Sequence, residues 1–177
     1  NDFTAIHLDL EGRPGGNELR ASLAAIDHRL VSRYDATLSS LVPAGQGAST
    51  YDDDEGITTL LAEVTLSGGE DNRSGWLLGG FAAASRQDTR MALALVGGGP
   101  VLWSERRRDN LSEFAVFGEV TRPIGETLAI TLGGRLSASH NDADSRTVAA
   151  GTPPARFQGD LSRWRFAPKA QIAWRPT

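Results

Sequence analysis

The sequence lacks cysteine, so it can form neither disulfide bonds nor thiolate metal sites. It also lacks any run near the 18 consecutive apolar residues that a transmembrane helix requires. That shortage does not exclude a membrane protein, because a barrel strand needs only about ten residues of alternating polarity. Basic residues are fewer than acidic ones, 18 against 22, and no basic face indicates a nucleic-acid partner.

Catalytic signatures are missing as well. The three histidines, His7, His28 and His140, are far apart and lack the spacing of a metal site. The glycine-rich segment 97–100 has neither the lysine nor the following helix of a phosphate loop. No Gly-x-Ser-x-Gly motif is present. We therefore expect a protein that is not an enzyme and needs no cofactor.

The clearest positive signal is the ten-residue interval between Trp164 and Trp174, where polarity alternates. A strand directs alternate side chains to opposite faces, so one face here is apolar with a tryptophan at each end, and the other is cationic. At about 3.3 Å per residue and a tilt near 40°, ten residues advance roughly 25 Å. This is the apolar height of an outer-membrane barrel, and we predict that both tryptophans lie at membrane interfaces.

Period-two patterns predict about seven strands. They lie near residues 2–11, 17–30, 58–67, 74–85, 112–121, 126–137 and 163–175. Tight turns alternate with three polar stretches near 31–57, 86–111 and 138–159, which are predicted to be long loops. Short turns at one rim and long loops at the other are typical of outer-membrane barrels. The predicted fold is therefore all-β, an antiparallel up-and-down meander that forms part of a large transmembrane β-barrel.

A different class of protein would show similar alternation. In a soluble β-sandwich that acts as a ligand-binding or adhesin module, the apolar residues would lie beneath a second sheet. In a barrel, Leu128, Ile130, Leu132, Phe166 and Ile172 would contact lipid instead. The sequence leaves both readings open at this point.

Three charged groups of residues are candidate sites. A cationic group beside a tryptophan could bind an anionic chelate or a lipopolysaccharide phosphate, although a solvated run of charge is the simpler alternative. It consists of Trp103, Arg106, Arg107 and Arg108. An acidic run could offer oxygen ligands to Ca²⁺, but it lacks the calcium-loop spacing, so we predict a solvated loop and no metal site. It consists of Asp52, Asp53, Asp54 and Glu55.

The third group consists of charged residues at the strand positions that would face the inside of a barrel. These residues could form ion pairs across the lumen or could simply be solvated, and the sequence favours neither. Its basic members are Arg135, Arg163, Arg165, Lys169 and Arg175, and its acidic members are Glu63, Glu113 and Glu119.

Four motifs, in order, resemble the barrel domain of TonB-dependent outer-membrane receptors. Segments 113–123 and 128–137 are similar to a strand, turn and strand that recur in the middle of that barrel. Segments 61–67 and 76–81 are similar to an earlier hairpin, and segments 166–169 and 173–176 to a later strand. The likeness covers residues 58–177, whereas residues 1–57 match only the spacing of strands and turns.

The resemblance implies a 22-stranded barrel filled by an N-terminal plug, which imports iron chelates, cobalamin, oligosaccharides or other scarce nutrients. It also implies an energy-transducing periplasmic protein that binds ahead of the plug. The sequence matches neither the plug nor that binding segment, so we expect residues 1–177 to be one segment of a receptor barrel. Its expected location is the outer membrane of a Gram-negative bacterium. Its expected partners are outer-membrane lipid, the missing plug, the remaining strands and, through the absent N-terminal part, the periplasmic protein.

Overall fold

A computed structural model of the chain describes residues 1–39, 42, 47–71 and 74–175. Within these residues, seven antiparallel strands form one sheet in chain order, and each strand pairs with the next. The strands are β1 (Asp2–Gly12), β2 (Glu18–Asp35), β3 (Ser49–Asp71), β4 (Ser74–Leu95), β5 (Val101–Ile124), β6 (Leu128–Ala149) and β7 (Ala155–Trp174). A 3₁₀ turn, Pro14–Gly16, lies between β1 and β2. The predicted all-β, up-and-down meander is confirmed.

The strands are much longer than predicted, and the three predicted long loops are wrong in extent. Most of residues 31–57, 86–111 and 138–159 continue the strands, which leaves connections at 36–48, 96–100 and 150–154. Residues 40, 41 and 43–46, in the middle of the first predicted loop, lie outside the described residues. The apolar alternation weakens in these stretches because the face that is apolar elsewhere becomes polar, although Leu93 and Trp103 remain as apolar residues on the other face. The period-two signal therefore fades while the strands continue.

Cross-strand ion pairs support the strands where hydrophobic alternation stops. Arg33 on β2 donates hydrogen bonds to Asp52 on β3, and Arg156 on β7 donates two to Asp144 on β6. Such opposite-charge pairs favour strand pairing. At the β4–β5 turn, Gly97 and Gly98 adopt φ values of 83° and 79°, a region that L side chains disfavour.

The two faces of the sheet differ in what they expose. The residues that are buried all lie on one face; they are Ser49, Gly79, Thr89, Leu93, Ala115 and Ser145. The other face exposes most of the large apolar side chains. We call the face with the exposed apolar side chains the belt face, and the face with the buried residues the opposite face. Within the described residues no second sheet covers the belt face, so the structure offers no support for the soluble sandwich. The described part of the chain contains no apolar helix of the length that spans a bilayer.

Candidate functional site

Apolar side chains form a continuous band across all seven strands on the belt face, and most of them are exposed. From β1 to β7 the band contains Ile6, Leu8, Leu10, Leu19, Leu23, Leu60, Val64, Leu66, Trp76, Leu78, Phe114, Val116, Val120, Leu128, Ile130, Leu132, Leu136, Trp164, Phe166, Ile172 and Trp174. A soluble monomer rarely exposes an apolar surface that runs across a whole sheet, so the band marks contact with another apolar medium.

The band crosses the strands obliquely. On β7 it extends from Trp164 to Trp174, but on β3 it extends from Leu60 to Leu66. The slant lies mainly in the edge near the turns: the row of paired residues that contains Leu66 reaches Pro168 on β7, and the apolar part of β7 continues from there to Trp174. A flat slab of hydrocarbon cuts across tilted strands in this way, because barrel strands run at about 35–45° to the membrane normal.

The predicted interface tryptophans lie at the two ends of the band. Trp164 pairs with Ala138 and Trp174 pairs with Leu128, both on the belt face. Both indoles are exposed, by 75% and 68%. Trp76 on β4 lies near the same edge as Trp174. These positions suit aromatic residues at the headgroup level, and the assignment of Trp164 and Trp174 to the interfaces stays a prediction.

The opposite face carries two ion pairs of the predicted inward set. The Arg135 guanidinium donates to a carboxylate oxygen of Glu113 at 3.0 Å, and the Lys169 ammonium donates to Glu119. The Lys169–Glu119 pair bridges β7 and β5 across Gly133 of β6, which has no side chain to block it. The described residues show no ion pair for Glu63, Arg163 or Arg165.

Two phenylalanines flank the Arg135 side chain. Its guanidinium carbon lies 5.2 Å from the ring centre of Phe81 and 5.7 Å from that of Phe117. A cation over aromatic faces gains electrostatic attraction in addition to its ion pair. Arg135, Glu113 and the two rings therefore form one cluster on the opposite face, at the level of the apolar band.

An aromatic tier lies on the opposite face, near the ends of the strands that are far from the band. Tyr51 on β3 stacks on Trp103 on β5, with ring centres 6.3 Å apart and planes inclined by 19°. Tyr34 on β2 extends the tier, 6.4 Å from Tyr51. Leu93 on β4 lies between Tyr51 and Trp103 in the register and is 1% exposed. The tier provides a flat apolar surface with phenol and indole donors at its edge.

The cationic candidate group does not assemble as one site. The four residues lie in β5, not in a loop, and alternate between faces. Trp103 and Arg107 lie on the opposite face, where Arg107 is paired with Asp109. Arg106 and Arg108 lie on the belt face, beyond the apolar band. Sequence patterns did not single out Tyr34 and Tyr51, because both fall at the edges of a predicted loop.

The acidic candidate run is also divided by strand geometry. Asp52 and Asp54 lie on the belt face, where they bind Arg33 and Arg29, whereas Asp53 and Glu55 lie on the opposite face. The placement of this run in a loop is therefore wrong. In the described part of the chain, no three His, Asp or Glu side chains are close enough to hold a metal ion.

The ion pairs beyond the apolar band shift the pKa values of the side chains that form them. The hydrogen bond from Arg29 lowers the pKa of Asp54, and that from Arg156 lowers the pKa of Asp144. Both pairs are therefore charged at neutral pH, and acid breaks them by protonating the carboxylates. Burial raises the pKa of Tyr51, and the charges of Asp53 and Glu105 raise it further, so the phenol stays a neutral hydrogen-bond donor.

Comparison with known proteins identifies the architecture. No protein-family model matches the chain, and no curated protein matches it in sequence. Solved structures do match. The ferric yersiniabactin uptake receptor FyuA from Yersinia pestis superposes with a TM-score of 0.82 at 12% identity over 99% of this chain. The ferric-catecholate import receptor Fiu from Escherichia coli K12, in its closed form, gives 0.61 at 14% identity, also over 99%.

The ferric citrate transporter FecA in its unliganded form gives a TM-score of 0.59 at 12% identity, again over 99% of this chain. The chain spans only 26%, 31% and 25% of the lengths of these three proteins. At such identities the likeness shows the fold alone. That fold is a section of the barrel found in outer-membrane siderophore receptors.

Proposed function

We propose that this chain is a barrel section of an outer-membrane, energy-coupled receptor that takes up iron chelates or other scarce nutrients. The observation that carries the proposal is the exposed, oblique apolar band with tryptophans at its edges. Hydrocarbon is the medium that such a band is suited to contact. The fold shared with siderophore receptors supports the same reading.

In this proposal the belt face contacts lipid and the opposite face lines the lumen. The apolar band lies close to the turns that follow β1, β3 and β5, and the strands extend far beyond it at the other end. Outer-membrane barrels have short turns on the periplasmic side and extend further on the outside. The connections at 36–48, 96–100 and 150–154 therefore face the exterior. The ion pairs of Arg135 and Lys169 lie at the depth where a plug would fill the lumen.

Lipid contact is testable by spin labelling, because the chain has no native cysteine. We expect nitroxides at Ile130 and Leu132, in the complete receptor in a bilayer, to be relaxed strongly by dissolved oxygen and weakly by a water-soluble nickel complex. A label at Thr131, which lies between them on the opposite face, is the matched control and should show a lower ratio of oxygen to nickel relaxation. Relaxation of Ile130 and Leu132 by the nickel complex alone would refute the proposal.

The aromatic tier is the proposed point of ligand contact, since it lies on the lumen side near the exterior. Stacking on Tyr51 and Trp103 favours a chelate that carries aromatic rings, and each stacked ring pair contributes about 0.5–1.5 kcal/mol. We expect Trp103→Ala to weaken binding of a ferric catecholate by roughly threefold to tenfold. Binding of ferric citrate, which has no ring, should change less.

Trp164→Ala is the matched control, because it removes an exposed indole from the belt face. Equilibrium titration of the complete receptor, followed by fluorescence quenching, measures both affinities. If Trp103→Ala and Trp164→Ala alter catecholate affinity equally, the tier is not a ligand surface.

A further inference from the structure

Two carboxylates lie directly below the aromatic tier on the opposite face. On β3, Asp53 follows Tyr51 by two residues, and on β5, Glu105 follows Trp103 by two residues. Each carboxylate is therefore about 7 Å closer to the apolar band than its aromatic neighbour. Met91 on β4 pairs with both and separates their backbones by two strand spacings, about 10 Å. We call Asp53 and Glu105 the carboxylate pair.

Neither member of the carboxylate pair has a cation of its own. Within the described residues, Asp53 and Glu105 form no ion pair, and Glu105 accepts a hydrogen bond only from the Ser145 hydroxyl, at 2.7 Å. One oxygen of Asp53 is buried and accepts no hydrogen bond from any described residue. A buried carboxylate oxygen without a donor is unfavourable, so the pair is stabilised by a cation from outside the sheet.

The arginine that follows Glu105 on this face is bound elsewhere. Arg107 donates two hydrogen bonds to Asp109, at 2.7 and 2.9 Å. From the tier down to the row of Asp109, the opposite face of the described strands carries four carboxylates and one guanidinium, which leaves three negative charges in excess. These residues are Asp53, Glu55, Glu105, Asp109 and Arg107. The three connections at this end of the strands contain no charged residue that would offset the excess.

Tyr51 and Trp103 supply the second feature of a site for an organic cation. An aromatic face attracts a cation that lies within about 6 Å of the ring centre. Burial raises the pKa of Tyr51, and the charges of Asp53 and Glu105 raise it further, so both carboxylates are close enough to act on the phenol. Aromatic faces beside carboxylates offer an ammonium or guanidinium group both cation–π attraction and charge-assisted hydrogen bonds.

The same surface suits a metal ion or an anion poorly. Ca²⁺ takes roughly six to eight oxygen ligands. In the part of the chain that the structure describes, no three His, Asp or Glu side chains are close enough to hold a metal ion. An anionic group would be repelled by the excess of negative charge. The occupant that fits is a positively charged organic group.

We infer that the aromatic tier and the carboxylate pair select iron chelates that carry a positively charged amino or guanidino group. The inference rests on the proposed function and specifies the class of nutrient that the lumen surface accepts. The cation lies between Asp53 and Glu105, and the tier packs against it from the exterior side.

The first test compares two ligands that differ only in charge. A ferric catecholate with a primary amine on its linker, and the same chelate with that amine acetylated, are titrated into the complete receptor, and binding is followed by fluorescence quenching. We expect the amine form to bind roughly tenfold more tightly, the scale of one charge-assisted contact. Its advantage should shrink as sodium chloride is raised from about 50 to about 500 mM, because salt screens the attraction.

The second test removes the charge of the carboxylate pair. The double variant Asp53→Asn and Glu105→Gln keeps the shape of both side chains and breaks no ion pair. We expect the amine form to lose most of its roughly tenfold advantage, whereas the acetylated form, which is anionic, should bind as well or better. The matched control, Glu11→Gln and Glu63→Gln, removes the same charge from the opposite face far from the tier and should preserve the advantage.

Equal binding of the amine and acetylated forms by the unaltered receptor would overturn the inference, and so would binding of neither form. An advantage that survives the loss of both carboxylates, or that the control variant loses equally, would also overturn it. Spin labels at Ile130 and Leu132 report membrane placement independently of any chelate, so failure here and failure of the proposed function are distinguishable.

Discussion

Leu132→Arg is expected to destabilise the folded barrel by about 2–4 kcal/mol, because it places a guanidinium near the centre of the apolar band. Leu132 lies on the belt face between Val120 and Ala170, and 60% of its surface is exposed. In a soluble protein, an exposed leucine tolerates arginine with little change. In a bilayer, the same position is surrounded by hydrocarbon, and the charge must be desolvated or must draw water inward.

Gln171→Arg is the matched control for this prediction. Gln171 lies at a similar depth, but it is on the opposite face, which is polar. Denaturant titration of the complete receptor in lipid vesicles measures both variants. Equal stability of Leu132→Arg and Gln171→Arg would mean that the belt face does not contact lipid.

Gly133→Val is the second change with a large expected effect. A Cβ at Gly133 would lie 2.6 Å from the carbonyl oxygen of Gly118 and 2.7 Å from the Cβ of Glu119. The first of these neighbours is backbone, so β5 and β6 would have to separate, and overpacking of this kind costs about 1–3 kcal/mol. The branched side chain would also stand between Lys169 and Glu119 and break their ion pair.

Gly56→Val is the control, because Gly56 is also within a strand but a Cβ there would meet no atom within 4 Å. Valine suits a strand better than glycine, so this variant should be neutral or slightly stabilised. The same denaturant titration compares the two variants. If Gly56→Val and Gly133→Val are equally stable, the close approach of β5 and β6 does not limit side-chain size at Gly133.

The belt-face part of the structure was predictable because hydrocarbon imposes a simple rule on the strands. Within the apolar band, nearly every second residue of a strand is apolar, and this period of two is visible in the sequence. Trp164, Trp174 and the residues between them are one example, and the alternation from Leu128 to Ser137 is another. The number, order and antiparallel pairing of the strands followed from these patterns and from the turns between them.

The parts of the strands that extend beyond the apolar band were not predictable in this way. Beyond the band the belt face is polar, and the opposite face keeps only scattered apolar residues such as Leu93, so no regular alternation marks the strands there. Tyr34 and Tyr51 therefore fell at the margins of a predicted loop, although they pair directly across β2 and β3. Arg106, Arg107 and Arg108 were recognised as a cationic run, but strand alternation separates Arg107 from its two neighbours.

The sequence by itself thus determined which face of each strand is apolar, because the polarity of successive side chains alternates with the medium that each face contacts. Assembly across strands decided the rest. Arg90, Arg106, Arg146 and Arg156 come from four strands, and no local pattern relates them. They become neighbours only when the hydrogen-bonded register brings those strands together, because a shift of one residue between two of these strands would place the arginines on either side of the shift on opposite faces of the sheet.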